Sequence, residues 1–188
     1  MIDSLCDRAG GKDIAVVGLY CDFLAQQEQS AASMLGAILK QLVSRGGIPE
    51  YVRGSFRKAK KEFGGRGLRL PDLVDFLRRT IEPLERVFIC IDALDESAPR
   101  LRQGLIESLR EIVKMSPNTR IFLTGRPHID DEIMKSFSGA VRIPVSPTEG
   151  DIKSYLEMRL DRDTDPRAMD NELRADIMRI IPAKISEM

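Results

Sequence analysis

The chain has 188 residues, 43% apolar and 31% charged, which is ordinary for a folded domain with one real core. Twenty-nine basic residues balance 29 acidic ones, so bulk charge favours neither nucleic acid nor an anionic membrane. No apolar run approaches the roughly 18 residues of a membrane span, no signal-peptide pattern opens the chain, and three scattered cysteines (Cys6, Cys21 and Cys90) suggest neither a disulfide framework nor a zinc site; the expected location is the cytoplasm.

In chain order, "IAVVGLY" (14–20) is β-branched and apolar, the pattern of a buried strand. A helix follows in which Ala31, Leu35, Ile38, Leu39 and Leu42 share one face at helical spacing. It should stop near Gly46, Gly47 and Pro49. The basic, glycine-broken stretch 51–70 reads as a short helix and an exposed loop. Pro71 suits a first helical position, and Leu73, Leu77 and Ile81 line the next stripe. "RVFICID" (86–92) is a second strand, 99–115 a helix, "RIFLTG" a third strand within 119–125 and "HIDDEIMKSF" a short helix. "AVRIPV" predicts a fourth, weaker strand at 141–145. Thr148 with Asp151 forms a capping-box pattern for a helix over 150–160, and a last amphipathic helix spans about 169–181. Alternating strands and helices predict an α/β fold, a three-layer parallel sheet with helices on both faces. In such sheets ligands bind beyond the carboxyl ends of the strands.

Two strand ends carry chemistry. "VFICIDALDES" runs an apolar strand into Asp92, Asp95 and Glu96. Polar turns and helix starts also favour such residues. Three carboxylates within five residues, however, repel unless a cation or solvent separates them. Asp92 at the strand terminus suits Mg²⁺ held through water. Asp95 or Glu96 would then orient or deprotonate an attacking water. Thr124, Gly125 and Arg126 of "FLTGRP" stand at the next strand end. Arg126 there is either a surface loop residue or a sensor of a terminal phosphate, since a guanidinium bonds phosphate oxygens in pairs. Together the two ends make a candidate nucleotide-phosphate site, with Arg126 and Thr124 on the nucleotide.

With "GLYCDFLAQQEQSAASMLGAILKQLV", these segments resemble the NACHT module of STAND-class signalling ATPases, and most of all the nephrocystin-type NACHT proteins of filamentous fungi. The resemblance covers about residues 14–188. It implies a P-loop NTPase core over 14–147, after an N-terminal segment 1–13, and a helical extension over 148–188. It makes Asp92 the metal-associated Walker B residue, matches Asp95 and Glu96 to the family's extra carboxylates, and makes Arg126 its sensor arginine. Ala93 stands where the family often has glycine. The implied function is ATP binding with Mg²⁺, self-association driven by nucleotide, and signalling through protein partners or attached ankyrin, WD or TPR repeats. A non-catalytic protein-interaction module that keeps the fold is the alternative.

One departure bears on all of this. GxxxxGK[ST] does not occur. "AGGKD" (9–13) offers Gly11-Lys12, but Cys6 stands at the first glycine position and Asp13 at the Ser/Thr position, and a strand follows instead of a helix. Each charge-assisted phosphate contact contributes roughly 1.5–3 kcal/mol. Losing three or four costs on the order of 5–8 kcal/mol, or about 10⁴–10⁶ in affinity. The expectation is an N-terminally truncated module with impaired ATP binding, whose missing first strand leaves a gap between the strands at 119–124 and 141–145. Lesser patterns carry less. Asp161, Asp163, Asp165 and Glu172 fall at calcium-loop positions, but Pro166 stands where that loop needs glycine, and no metal beyond Mg²⁺ is expected. "RGSFRKAKKEF" has only Phe56 and Phe63 as aromatics and reads as a solvated helix face. His128, the one histidine, has no catalytic neighbours in sequence.

Overall fold

The computed structural model describes residues 5–7, 13–26, 29–44, 46–62, 68–162 and 170–186. Gly11, Lys12 and Phe63, and Asp163, Asp165 and Pro166 of the calcium-like pattern, lie outside those residues. The chain forms two compact units, Met1–Ala140 and Val141–Met188.

The first unit is built on a parallel sheet of three strands in the order β1 (Ile14–Tyr20), β2 (Arg86–Asp92), β3 (Thr119–Leu123). The expected α/β class is therefore observed. Register aligns Ala15, Val87 and Thr119, then Val17, Ile89 and Ile121, then Leu19, Ile91 and Leu123. Alternation along each strand puts all nine on one face. Against it the apolar stripes of α1 (Ala31–Val43), α3 (Leu70–Ile81) and α4 (Pro99–Met115) bury Leu35, Ile38, Leu77, Ile81, Leu105 and Leu109 completely. These three helices also pack on one another. The opposite face carries Val16, Phe88 and Phe122, all half-buried, with the two phenyl rings 6.2 Å apart.

Pro71 occupies the first turn of α3, as its position in the sequence suggests; Pro99 does the same in α4, and Ser30 accepts the Ser33 amide at the start of α1. Between α1 and α3 lies α2 (Glu50–Glu62), 13 residues where the sequence suggested a short helix. Its N-terminal turn is anchored by Tyr51, whose ring sits 5.8 Å from that of Phe76 and under the Arg79 guanidinium at 3.9 Å. The Tyr51 hydroxyl also pairs with Thr80 Oγ1 at 2.9 Å. Asn118 Nδ2 donates to the carbonyls of Ile81 (3.1 Å) and Leu84 (2.7 Å), holding the approach to β2. After β3 come a 3₁₀ turn (Pro127–Ile129) and α5 (Asp130–Ser136).

The fourth strand predicted at 141–145 does not form. Residues 140–148 have no strand structure, and Val141, Ile143 and Val145 are 84%, 75% and 91% exposed. Alternating apolar residues make a strand only when a neighbour completes the hydrogen-bond ladder, and Pro144 removes one donor from this stretch. In the second unit, α6 (Glu149–Asp161) starts at the predicted capping box, with Thr148 and Asp151 each accepting the other's amide. It packs with α7 (Asn171–Ser186), which runs through Pro182 past the predicted end at 181. Asp161, the first calcium-like position, is ion-paired with Arg174 at 2.6 Å.

At Gly18 the outer edge of β1 is met by a side chain. Gln41 of α1 accepts from the Gly18 amide at 3.0 Å and donates to the Gly18 carbonyl at 2.9 Å, as a neighbouring strand would. Gln41→Leu leaves both backbone groups unmatched in a half-buried position and should lower stability by about 1–3 kcal/mol in urea unfolding; an unchanged midpoint would mean that water replaces the amide without loss.

Candidate functional site

The carboxyl ends of β2 and β3 meet at Thr124. Its amide donates to the Ile91 carbonyl at 3.0 Å, and its carbonyl accepts from the Leu94 amide at 2.9 Å. Its hydroxyl accepts from the Ala93 amide at 2.9 Å and donates to Asp92 Oδ1 in a short hydrogen bond. One residue thus ties down the backbone on both sides of the acid turn and orients the Asp92 carboxylate. The Asp92 carbonyl in turn accepts the Cys21 amide at 3.0 Å, which binds the end of β1 to the same point.

At Ala93 the chain reverses in the left-handed region, φ 53° and ψ 43°; among the described residues it is the one non-glycine residue with positive φ. A Cβ is disfavoured there. The turn continues as a short 3₁₀ segment (Leu94–Glu96), pinned by fully buried Leu94. Nearby, Gly125 meets a packing constraint: a Cβ would lie 2.6 Å from Ile129 Cδ1 and 3.5 Å from Asp95 Oδ1. Glycine lets the β3 end lie against the acid turn.

The five expected site residues are gathered at this end of the sheet, but the acids face different partners. Asp92 faces Thr124. Asp95, its side chain only 6% exposed, lies 3.4 Å from Nε of Arg126, which is itself 74% exposed. Glu96 Oε2 accepts the Phe23 amide at 3.2 Å, and its carbonyl accepts Gln26 Nε2 at 2.6 Å. Glu96 therefore clamps the turn after β1, where Asp22 caps the 3₁₀ segment Phe23–Ala25. Among the described residues no three His, Cys, Asp or Glu side chains converge as a metal site. The donor set fits a hydrated magnesium ion held by Asp92 alone and does not fit a carboxylate cage. His128 is exposed in the turn after Arg126.

Several contributors were not singled out in the sequence. Gln26 and the Phe23 amide hold Glu96; the signal was topological, since a parallel sheet puts the residues after β1 beside the end of β2. Arg102 of α4 is buried, donates to the Ser97 carbonyl at 3.0 Å and pairs with Glu132 at 2.8 Å, which fixes the exit from the acid turn. Cys21, just past the end of β1, is buried. Burial pushes its thiol above the usual range; the neighbouring Ser97 hydroxyl opposes this, and the charges of Asp95, Glu96 and Asp92 add to the rise. Burial likewise raises the thiol of Cys90.

The model of the family described as "Nephrocystin 3, N-terminal" matches residues 1–126, all three strands and the acid turn included, through Arg126. The chain belongs to the nephrocystin 3 N-terminal family. No curated protein matches it. In this nephrocystin-type module the matched span ends at the arginine that pairs with Asp95, so all five expected site residues lie inside it.

Two outcomes follow from the local geometry. Ala93→Gly relieves the left-handed backbone and should stabilise the fold by about 1 kcal/mol, read as a higher urea midpoint; a lower midpoint would mean that the alanine methyl makes a contact outweighing the strain. For the thiols, stabilisation from keeping Cys21 and Cys90 protonated is present below the ordinary thiol range and fades as pH rises through their raised folded values. Iodoacetamide at pH 8 should therefore modify exposed Cys6 first and Cys21 and Cys90 only slowly, as resolved by peptide mass spectrometry. Equal rates would contradict their burial.

Proposed function

We propose that this nephrocystin-type chain is the Walker B and sensor portion of a NACHT-type, STAND-class nucleotide-binding signalling module, of the kind common in filamentous fungi. The observation that carries the reading is the junction of two strand ends, with Thr124 bonded to Asp92 and Arg126 against Asp95. Asp92 would hold Mg²⁺ of an ATP complex through water, the metal serving to neutralise charge on the phosphates. Thr124 keeps one Asp92 oxygen fixed while the other meets no donor among the described residues. The Arg126 guanidinium meets Asp95 at 3.4 Å yet is 74% exposed, so a phosphate could reach it from solvent. Asp95 is positioned to receive or release that arginine, and Glu96 couples the acid turn to residues 22–26. Nucleotide-dependent self-association or binding of a protein partner in the cytoplasm would be the output.

Without GxxxxGK[ST], these 188 residues should bind ATP poorly. Labelled ATP with Mg²⁺ is expected to give no saturable binding below millimolar concentration. A chimera with a P-loop strand, loop and helix placed ahead of residue 14 should bind in the micromolar range, and Asp92→Ala or Arg126→Ala should each weaken it at least roughly tenfold, equivalent to about 1.4 kcal/mol. A folded chimera that binds equally well with Asp92→Ala and Arg126→Ala would refute the assignment of the strand ends. Micromolar binding by the unmodified chain would refute the impairment instead.

A further inference from the structure

On the helical side of the first unit, α1 and α2 line a common groove. Tyr51 and Val52 hold the N-terminal part of α2 to the core, whereas Phe56, one turn later, is 57% exposed. Ile48, in the turn before α2, is 54% exposed. Between the helices lies a groove of ≈ 730 Å³ floored by Leu39, Val43, Val52 and Leu73. Ala32, Ser33 and Gly36 of α1 form one wall, and nothing lies within 4 Å of where a Gly36 Cβ would be. None of the lining residues belongs to the acid turn.

The rim is basic. Lys40, Arg53 and Arg57 border the groove, and Lys58 stands on the same helix. α1 contains no acidic residue, and Glu50 is the acid near these arginines, at 3.5 Å from Arg53 and 3.9 Å from Arg57. Both are exposed pairs, of the kind that stabilise little and exchange readily. Each flanking helix has 13 residues, so each wall is about 20 Å long, three to four helical turns.

We propose that this groove docks an amphipathic helix of a partner protein, its apolar stripe against Leu39, Val52 and Phe56 and the acidic residues bordering that stripe against Lys40 of α1 and Arg53 and Arg57 of α2. An apolar floor, a wall of small residues and a cationic rim are the features by which helix-in-groove sites select a ligand. The walls match a helix of three to four turns, whereas a small apolar ligand would leave the cationic rim unused. This docking does not depend on the nucleotide reading.

The test uses the whole chain and a fluorescein-labelled, lactam-bridged helical peptide of about three to four turns, with Leu at every third or fourth position and Glu elsewhere. The Glu peptide should bind saturably, and a peptide with Lys replacing Glu should bind at least roughly tenfold more weakly. Gly36→Leu projects into open groove and improves a helix position, so its melting temperature should not fall, yet it should abolish binding. Arg53→Glu with Arg57→Glu should shift preference to the Lys peptide. Equal affinity for both peptides, binding retained in a folded Gly36→Leu chain, or no binding of either peptide would overturn the proposal. Binding of dodecanoate but of neither peptide would also overturn it and would make the groove a site for small acyl ligands.

Discussion

Everything in the first unit depends on β2 being hydrogen-bonded along both edges. A strand paired on both sides cannot slip by one residue without turning its whole core face outward. Val87, Ile89 and Ile91 are therefore held against α1, α3 and α4, and the same register brings Asp92 level with Tyr20 and next to Thr124. The packing of the core and the position of the acid turn are one constraint. The chemistry at the strand ends is held by elements far better buried than itself, which is how a short polar turn can keep a defined shape.

The acid turn shows how such a shape is maintained against local preference. Ala93 adopts a backbone conformation that a side chain disfavours, and the surrounding contacts are enough to keep it there. Thr124 holds the two amides on either side of the reversal, buried Leu94 anchors it from below, and Arg102 bonds the Ser97 carbonyl at its exit. The acids do not simply repel. Each has its own partner, a hydroxyl, a guanidinium or a backbone amide, so their charges are distributed over the ends of β1, β2 and β3.

The two outer strands meet solvent differently. β1 has its Gly18 backbone groups matched by Gln41, a device that suits an edge because it satisfies the donor and acceptor without offering a template for another strand. β3 has no strand beyond it among the described residues and carries half-buried Ile121, Phe122 and Leu123. Val141, Ile143 and Val145 have the alternation of a strand without its structure. α1 likewise divides its two sides between separate tasks. Leu35 and Ile38 build the core, while Gly36 and Lys40 line a groove that opens away from it.

Local pattern was enough for the buried elements. The apolar runs at 14–20 and 86–92, the stripes of α1, α3 and α4, the Pro71 start and the Thr148–Asp151 cap are all legible in the sequence, because each depends on contacts within a few residues or on burial of one periodic face. The acids at 92, 95 and 96 and the Thr-Gly-Arg at 124–126 were legible as candidates for the same reason, since a parallel sheet gathers its carboxyl ends. Their partners were not. Which carboxylate meets Thr124, which meets Arg126 and which clamps Phe23 depends on register and on the left-handed turn at Ala93, and no spacing encodes either. The strand that fails at 141–145 makes the converse point. A strand is a property of two segments, and its sequence states only one of them. So the sequence by itself determined the class of fold, the helical faces and the residues available to a site; the tertiary structure alone decided their pairings, the Gln41 bonds to Gly18 of β1 and the groove beside α2, because those depend on hydrogen bonds and contacts between segments that meet only when the sheet has formed.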